Sequence, residues 1–217
     1  MNIYYIGGSP CSGKSTIARQ IAEAQGLFYF EIDNLLGAYA ERGAAMGLAA
    51  CSRQWKFGPD YTWLRDPQIL CRDELQFYRE IFDFLWTDLQ TISEGKDMIA
   101  EGAALLPELM KEKGIPENRY ITITPTPEFQ VSHYRRREWV PLMLEGCSDK
   151  EKAFGNWMGR DMLFAEEVRR QCSILGYRSL ITDGGKNSAD MAIRLCEYFK
   201  LMDYSEPSSK TRCVSSV

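Results

Sequence analysis

The sequence predicts a doubly wound α/β domain, a parallel sheet covered by helices on both faces. Three observations carry this expectation. Five short runs rich in β-branched and aromatic residues recur along the chain: Asn2–Ile6, Leu27–Ile32, Asp97–Glu101, Arg119–Thr124 and Ser179–Thr182. Longer segments with helical spacing separate them, and strands alternating with helices call for a parallel sheet. Finally, 217 residues with 45% apolar and 26% charged side chains fit one large globular domain and exclude a disordered chain.

Each element has a local reason. Lys14–Gln25 reads as a helix ended by Gly26, and Asp66-Pro67 supplies an N-cap and an N1 proline for a long helix reaching about Ser93. Leu70, Phe77, Ile81, Leu85 and Leu89 form its apolar stripe. Ser148-Asp149-Lys150-Glu151 fits a capping box opening a helix to about Leu175, and Asn187 caps a last helix ending near Leu201. Two connections, Asp33–Gly95 and Pro125–Tyr177, exceed what a crossover needs, and long insertions at strand C-termini usually carry function. Residues 1–203 are read as one domain. Tyr204–Val217, Ser-rich and without apolar period, reads as a flexible tail.

A net charge of −4 argues against a general nucleic-acid or anionic-membrane binder. The seven cysteines contain no C-x-x-C pair, as expected of reduced cytoplasmic thiols, and with the single His133 they give no zinc-site spacing. No apolar stretch reaches the ~18 residues a membrane span needs, and the N-terminus lacks a basic leader, so a cytoplasmic location is expected.

The strongest signal is Gly8-Ser9-Pro10-Cys11-Ser12-Gly13-Lys14-Ser15-Thr16, a full match to G-x-x-x-x-G-K-[ST] directly after the first strand. Glycines permit the backbone to turn its N–H groups, with the following helix N-terminus, onto a phosphate. Lys14 is expected on the β and γ phosphates and the Ser15 hydroxyl on Mg²⁺. By this spacing the chain binds a nucleoside triphosphate. Cys11, beside a helix N-terminus, is expected to have a lowered thiol pKa, and its alkylation to block ATP binding.

The acceptor side rests on carboxylates. Asp33, after the second strand, is placed to face the nucleotide and to orient and deprotonate an acceptor hydroxyl; it also suits an N-cap for a helix over Asn34–Gly47, and both roles can hold together. Glu101, ending the third strand, suits a magnesium-bound water or an acceptor hydroxyl, with Gly102 allowing close approach of the ligand. Asp97, at the opposite edge, reads as structural. Arg42, Arg53, Trp55, Phe57, Tyr61, Trp63, Arg65 and Arg72 interleave cations with aromatics, suiting a planar or anionic acceptor or the small core of an inserted lobe.

The phosphate loop, Asp33 and Glu101-Gly102 together resemble the adenylate-kinase-like family of small-molecule P-loop kinases. Phe30–Leu36 is similar to the chloramphenicol phosphotransferase and zeta-toxin branch, and Glu101-Gly102 to the uridine kinase and 2-phosphoglycerate kinase branch. The resemblance implies strand order 2-3-1-4-5, an acceptor-binding insertion over residues 34–95 and an arginine-bearing lid over 133–160. Arg135, Arg136 and Arg137, on the helix after strand four, and Arg160 are then the lid cations that stabilise the transferring group, Arg137 first and Arg160 second. Asp183-Gly184-Gly185-Lys186-Asn187 falls where the family places the adenine edge. The expected activity is transfer of the ATP γ-phosphate, with Mg²⁺, to a hydroxyl or phosphate of a small molecule. A nucleotide-dependent regulatory protein, its lobe filled by its own aromatics, and a toxin-like kinase of a sugar nucleotide are the alternatives.

Overall fold

A computed structural model describes residues 2–93 and 95–201, apart from the side chains of 54–56. The chain alternates as expected. β1 (Ile3–Gly8) leads into α1 (Lys14–Gln25) and β2 (Phe28–Glu31). A 3₁₀ turn (Asp33–Leu35) then opens a run of four helices: α2 (Leu36–Ala45), α3 (Ala49–Lys56), α4 (Pro59–Trp63) and α5 (Pro67–Ile92). β3 (Met98–Glu101), α6 (Pro107–Glu112), β4 (Tyr120–Pro125), α7 (Pro127–Tyr134), α8 (Val140–Met143), α9 (Lys150–Leu175), β5 (Arg178–Thr182) and α10 (Ser188–Phe199) complete the order. The five strands pair in parallel as β2-β3-β1-β4-β5. The expected fold class and strand order are therefore those observed. The tail assigned to 204–217 lies outside the described residues.

Strand side chains alternate between two cores, as a period of two requires. Tyr4 and Ile6, Ile99, and Ile121 and Ile123 face α1 and α10. Tyr5, Met98, Ala100 and Tyr120 face the other layer, built from α2, α3, α5, α6 and α9. The α5 stripe is buried throughout, and the Asp66 carboxylate caps the helix by accepting from the Gln68 N–H at 2.8 Å. A third cluster holds Trp63, Tyr134, Val140, Leu144 and Trp157 beside Cys11, with Trp63 and Trp157 stacked at 4.7 Å. Among the described residues no helix is long and apolar enough to cross a membrane.

Three local expectations are corrected. The helix after strand four ends at Tyr134, so Arg135–Arg137 occupy turns rather than successive helical positions. A helix continuing to Pro141 would leave the Arg137 carbonyl without its i+4 donor, and the turn lets Tyr134, Val140 and Leu144 all reach one core. α9 is capped by Asp149, whose carboxylate accepts from the Lys152 N–H at 3.0 Å, because Ser148 donates its own N–H to Asp60 Oδ1 at 2.7 Å. Asp33 does not cap a helix: its carboxylate accepts from Ala103, and the α-helix starts only at Leu36.

Candidate active site

All five strands run one way, so their C-terminal ends share one edge, and β1 lies at the point where strand order reverses. Register brings Ile6 and Glu31 opposite Glu101 on either side. The phosphate loop, the Asp33 turn and the Glu101-Gly102 end thereby meet.

The loop's geometry explains its glycines. Gly8 has φ +121°, and a Cβ there would stand 1.9 Å from the Ile123 carbonyl oxygen of β4. Gly13 (φ +80°) caps α1 without a side chain, and the first turn of α1 holds no acidic residue. The helix N-terminus thus carries no side-chain cap and no carboxylate of its own first turn, and such an end attracts anions. Ser12 is buried and its hydroxyl has no hydrogen-bond partner. Gly8→Ala is expected to cost about 3 kcal/mol or more, from backbone strain plus overlap. Thermal unfolding should show this as a fall of roughly 10 °C in Tm.

Lys14 is 4% exposed, with Nζ 3.5 Å from Asp33 Oδ2. Burial pulls its ammonium down, but the Asp33 and Glu101 carboxylates outweigh burial and hold it above its ordinary value. Asp33 Oδ1 accepts from the Ala103 N–H at 3.1 Å, so the two oxygens of one carboxylate tie the loop after β3 to the phosphate-loop lysine. Gly102 serves that arrangement. A Cβ there would lie 2.7 Å from Ile32 Cβ and 3.0 Å from Asp33 Oδ1, so its bareness accommodates the Asp33 turn.

Glu101 is fully buried. Its Oε1 accepts from the Tyr29 hydroxyl at 2.9 Å, while Oε2 has no hydrogen-bond partner. Burial raises this carboxyl above its ordinary 4.5, opposed first by Lys14. Tyr29 gave no signal as a functional residue in the sequence, since a tyrosine in a strand reads as packing. Because the folded pKa of Glu101 is raised, its contribution to stability is full below about pH 4.5 and is lost as pH rises through the folded value. Tyr29→Phe removes a donor to the charged form and raises that value further. The variant is expected to lose about 1.5–3 kcal/mol at pH 8 and less at pH 4.5, read by urea unfolding at both.

The half-buried Ser15 adjoins Lys14 on the first turn of α1. No group of three or more His, Cys, Asp or Glu suited to a metal exists among the described residues. A cation here would take most of its ligands from a nucleotide and water, and the unpartnered Glu101 Oε2 fits the outer part of such a shell.

The arginines separate. Arg135 and Arg136 are exposed, Arg135 pairing with Glu151 at 3.4 Å. Arg137 is half-buried over Tyr134 and Trp139, at 4.9 and 5.5 Å, close enough to the loop to act on Cys11. Arg160 lies inside the protein: Nη2 is 2.6 Å and Nε 2.8 Å from Asp161 Oδ1, and Nε is 2.9 Å from Glu74 Oε2. Tyr134 donates to Asp161 Oδ2 at 3.1 Å and Tyr78 to Glu74 Oε1 at 2.8 Å, completing a network unforeseen from sequence. The expected lowering of the Cys11 thiol is overturned. Burial, only partly offset by Arg137 and Lys14, pushes it up.

Beside the Asp33 turn opens a cavity of about 440 Å³ between α2, α3, α4, α5 and α9. Leu36, Gly37 and Ala40 line it next to Asp33, whose charge is felt by the lining residues Glu74 and Tyr78. Arg53, Arg65 and Arg160 also line it, whereas the Trp55 side chain lies outside the described residues. Trp63 is buried on Trp157 and also lines the cavity. A smaller cavity of about 280 Å³ adjoins the Asp183–Lys186 loop, where the Asp183 carboxylate accepts from the Gly185 N–H at 2.8 Å.

No family model and no curated protein sequence matches this chain. Among solved structures it is similar to shikimate kinase from Aquifex aeolicus, at 19% identity over 92% of this chain and 96% of that one, with a TM-score of 0.44. TT1252 from Thermus thermophilus is 19% identical over 93% and 98% of the two chains, with a TM-score of 0.47. An uncharacterized protein from Eubacterium ventriosum is 12% identical over 93% and 99%, with a TM-score of 0.42.

Proposed function

We propose that this chain is a Mg-ATP-dependent phosphotransferase acting on a hydroxyl or phosphate of a small molecule. The observation that carries the reading is the Lys14–Asp33 pair at the junction of a phosphate loop and a cavity of about 440 Å³. In this reading the loop amides and Lys14 hold the triphosphate. Ser15 would hold Mg²⁺ together with the nucleotide's own oxygens, and the ion supplies charge neutralisation on the β and γ phosphates. Asp33, fixed by the Ala103 N–H, receives the acceptor's proton, and Glu101 supports the metal's water shell. Arg137, whose charge is felt at Cys11 of the loop, is the lid cation that neutralises charge on the transferring group. Arg160, bound to two carboxylates, serves the acceptor side instead. Residues 34–95 then form the acceptor lobe and 133–160 the lid.

A regulatory protein without phosphotransfer would be expected to fill this lobe with its own aromatics, and the cavity beside Asp33 speaks for an acceptor. The six described cysteines are all unpaired and buried, which suits the reducing cytoplasm. The test is incubation with Mg-ATP and a mixture of metabolites and antibiotics, followed by mass spectrometry. A product heavier by one phosphoryl group supports the reading; tight ATP binding with no product would refute it in favour of the regulatory one.

A further inference from the structure

Three guanidinium groups face the large cavity, and their states differ. Arg160 is paired with Asp161 at 2.6 Å and stands 2.9 Å from Glu74 Oε2. Arg65 is fixed in three ways: Nη1 is 2.7 Å from Asp73 Oδ2, Nε donates to the Tyr61 carbonyl at 2.7 Å, and the guanidinium lies 4.1 Å over the Tyr61 ring. Arg53 is not satisfied. Its Nη2 stands 3.8 Å from Asp73 Oδ1, beyond hydrogen-bond length, and its Nε is buried without a hydrogen-bond partner.

The charges follow the same division. Arg53 and Arg65 share one carboxylate, leaving their set with one uncompensated positive charge. In the neighbouring set, Arg160 meets Asp161 and a Glu74 whose carboxyl burial raises, so that set is drawn towards neutrality. Glu74 Oε1 accepts from Tyr78, while Oε2 stands 2.9 Å from Arg160 Nε without a hydrogen bond, so this end presents a carboxylate and an anionic ligand finds its donor at the Arg53 end instead. The cavity's unmet demand at the Arg53 end is thus a buried donor seeking an acceptor, and a buried unpaired N–H is costly until something accepts from it.

We propose that the cavity takes a small molecule carrying one oxyanion, a carboxylate or a phosphate ester, which docks on Arg53 beside the Arg65–Asp73 pair. The apolar body of the ligand then lies against Tyr61, Trp63 and Phe77, and the end away from the anion points to Asp33. Only the direction of that second end rests on the phosphotransfer reading; recognition of the anion rests on Arg53. Arg65 is the rigid member that keeps Asp73 from following Arg53, so Arg53 decides which charge is admitted.

Inorganic phosphate is the probe, being small enough to fit whatever the natural body. It is titrated into the full chain saturated with a non-hydrolysable ATP analogue, and tryptophan fluorescence is followed because Trp63 lines the cavity. A saturable response is expected, weakened about tenfold or more in Arg53→Gln and unaltered in Arg170→Gln, an exposed arginine of α9. Arg53→Lys, which keeps the charge but loses the Nε donor, should fall between, and circular dichroism checks that both variants fold. Repeating the titration on Lys14→Ala weakens the phosphate loop as a competing site, so the Arg53 result can be read whether or not the analogue binds. Analogue binding itself, followed by calorimetry, reports on the phosphotransfer reading separately. No saturable response, or one of equal strength in Arg53→Gln, would overturn the proposal.

Discussion

Asp33→Asn is expected to lower the rate of phosphotransfer by about two to four orders of magnitude, the range found when a positioned proton acceptor is lost. ATP affinity should hold or improve. The reason for the split is the contact between Asp33 Oδ2 and Lys14 Nζ at 3.5 Å. Lys14 rests on this carboxylate, so a triphosphate must draw the ammonium away from it. Asparagine keeps an oxygen for the Ala103 N–H, preserving the turn, but it neither competes strongly for Lys14 nor takes a proton. Turnover and calorimetric ATP titration on the same preparation separate the effects. A fall in affinity with unchanged turnover would show that Asp33 serves nucleotide binding instead.

Lys14→Ala should have the largest effect of any single change. Loss of a charged donor to the phosphates is expected to weaken ATP binding about tenfold to a hundredfold, and loss of the same group in the transition state to cost a further 10²–10³ in rate. The protein should also become less stable in a pH-dependent way. Lys14 is the cation that most opposes the raised pKa of the buried Glu101. Without it, the folded-state value rises further, and charging that carboxyl destabilises the fold as pH climbs through it. Thermal unfolding should show a deficit at pH 8 that shrinks toward pH 4.5. A deficit independent of pH would mean that Lys14 contributes packing alone.

The fold was legible in the sequence because its central strands are buried on both faces and its helix ends are punctuated. Ile3–Gly8 and Tyr120–Pro125 are near-continuous runs of β-formers, and Gly26, Asp66-Pro67 and Asn187 stand where helices begin or stop. The loop after β1 was legible for a similar reason: its backbone takes positive φ at Gly8 and Gly13, which only a particular local pattern allows. The rest of the site depends on contacts between distant segments. Tyr29 meets Glu101 only through strand register, and Asp33 is held by the N–H of Ala103, 70 residues away. The ion pair of Arg160 was not legible because nothing near it in sequence reveals Glu74, which arrives on a different helix. Arg135–Arg137 read as helix because such a run has no breaker of its own, while the turn that replaces it lets Tyr134, Val140 and Leu144 reach one core, a contact that local sequence does not reveal.

The most direct measurement is a single turnover with γ-labelled Mg-ATP and the acceptor mixture, comparing wild type with Asp33→Asn at equal, measured ATP occupancy. Label should pass to an acceptor in the wild type and at least about a hundredfold more slowly in the variant. Equal rates at equal occupancy would contradict the account, because the carboxylate beside Lys14 would then have no part in the transfer.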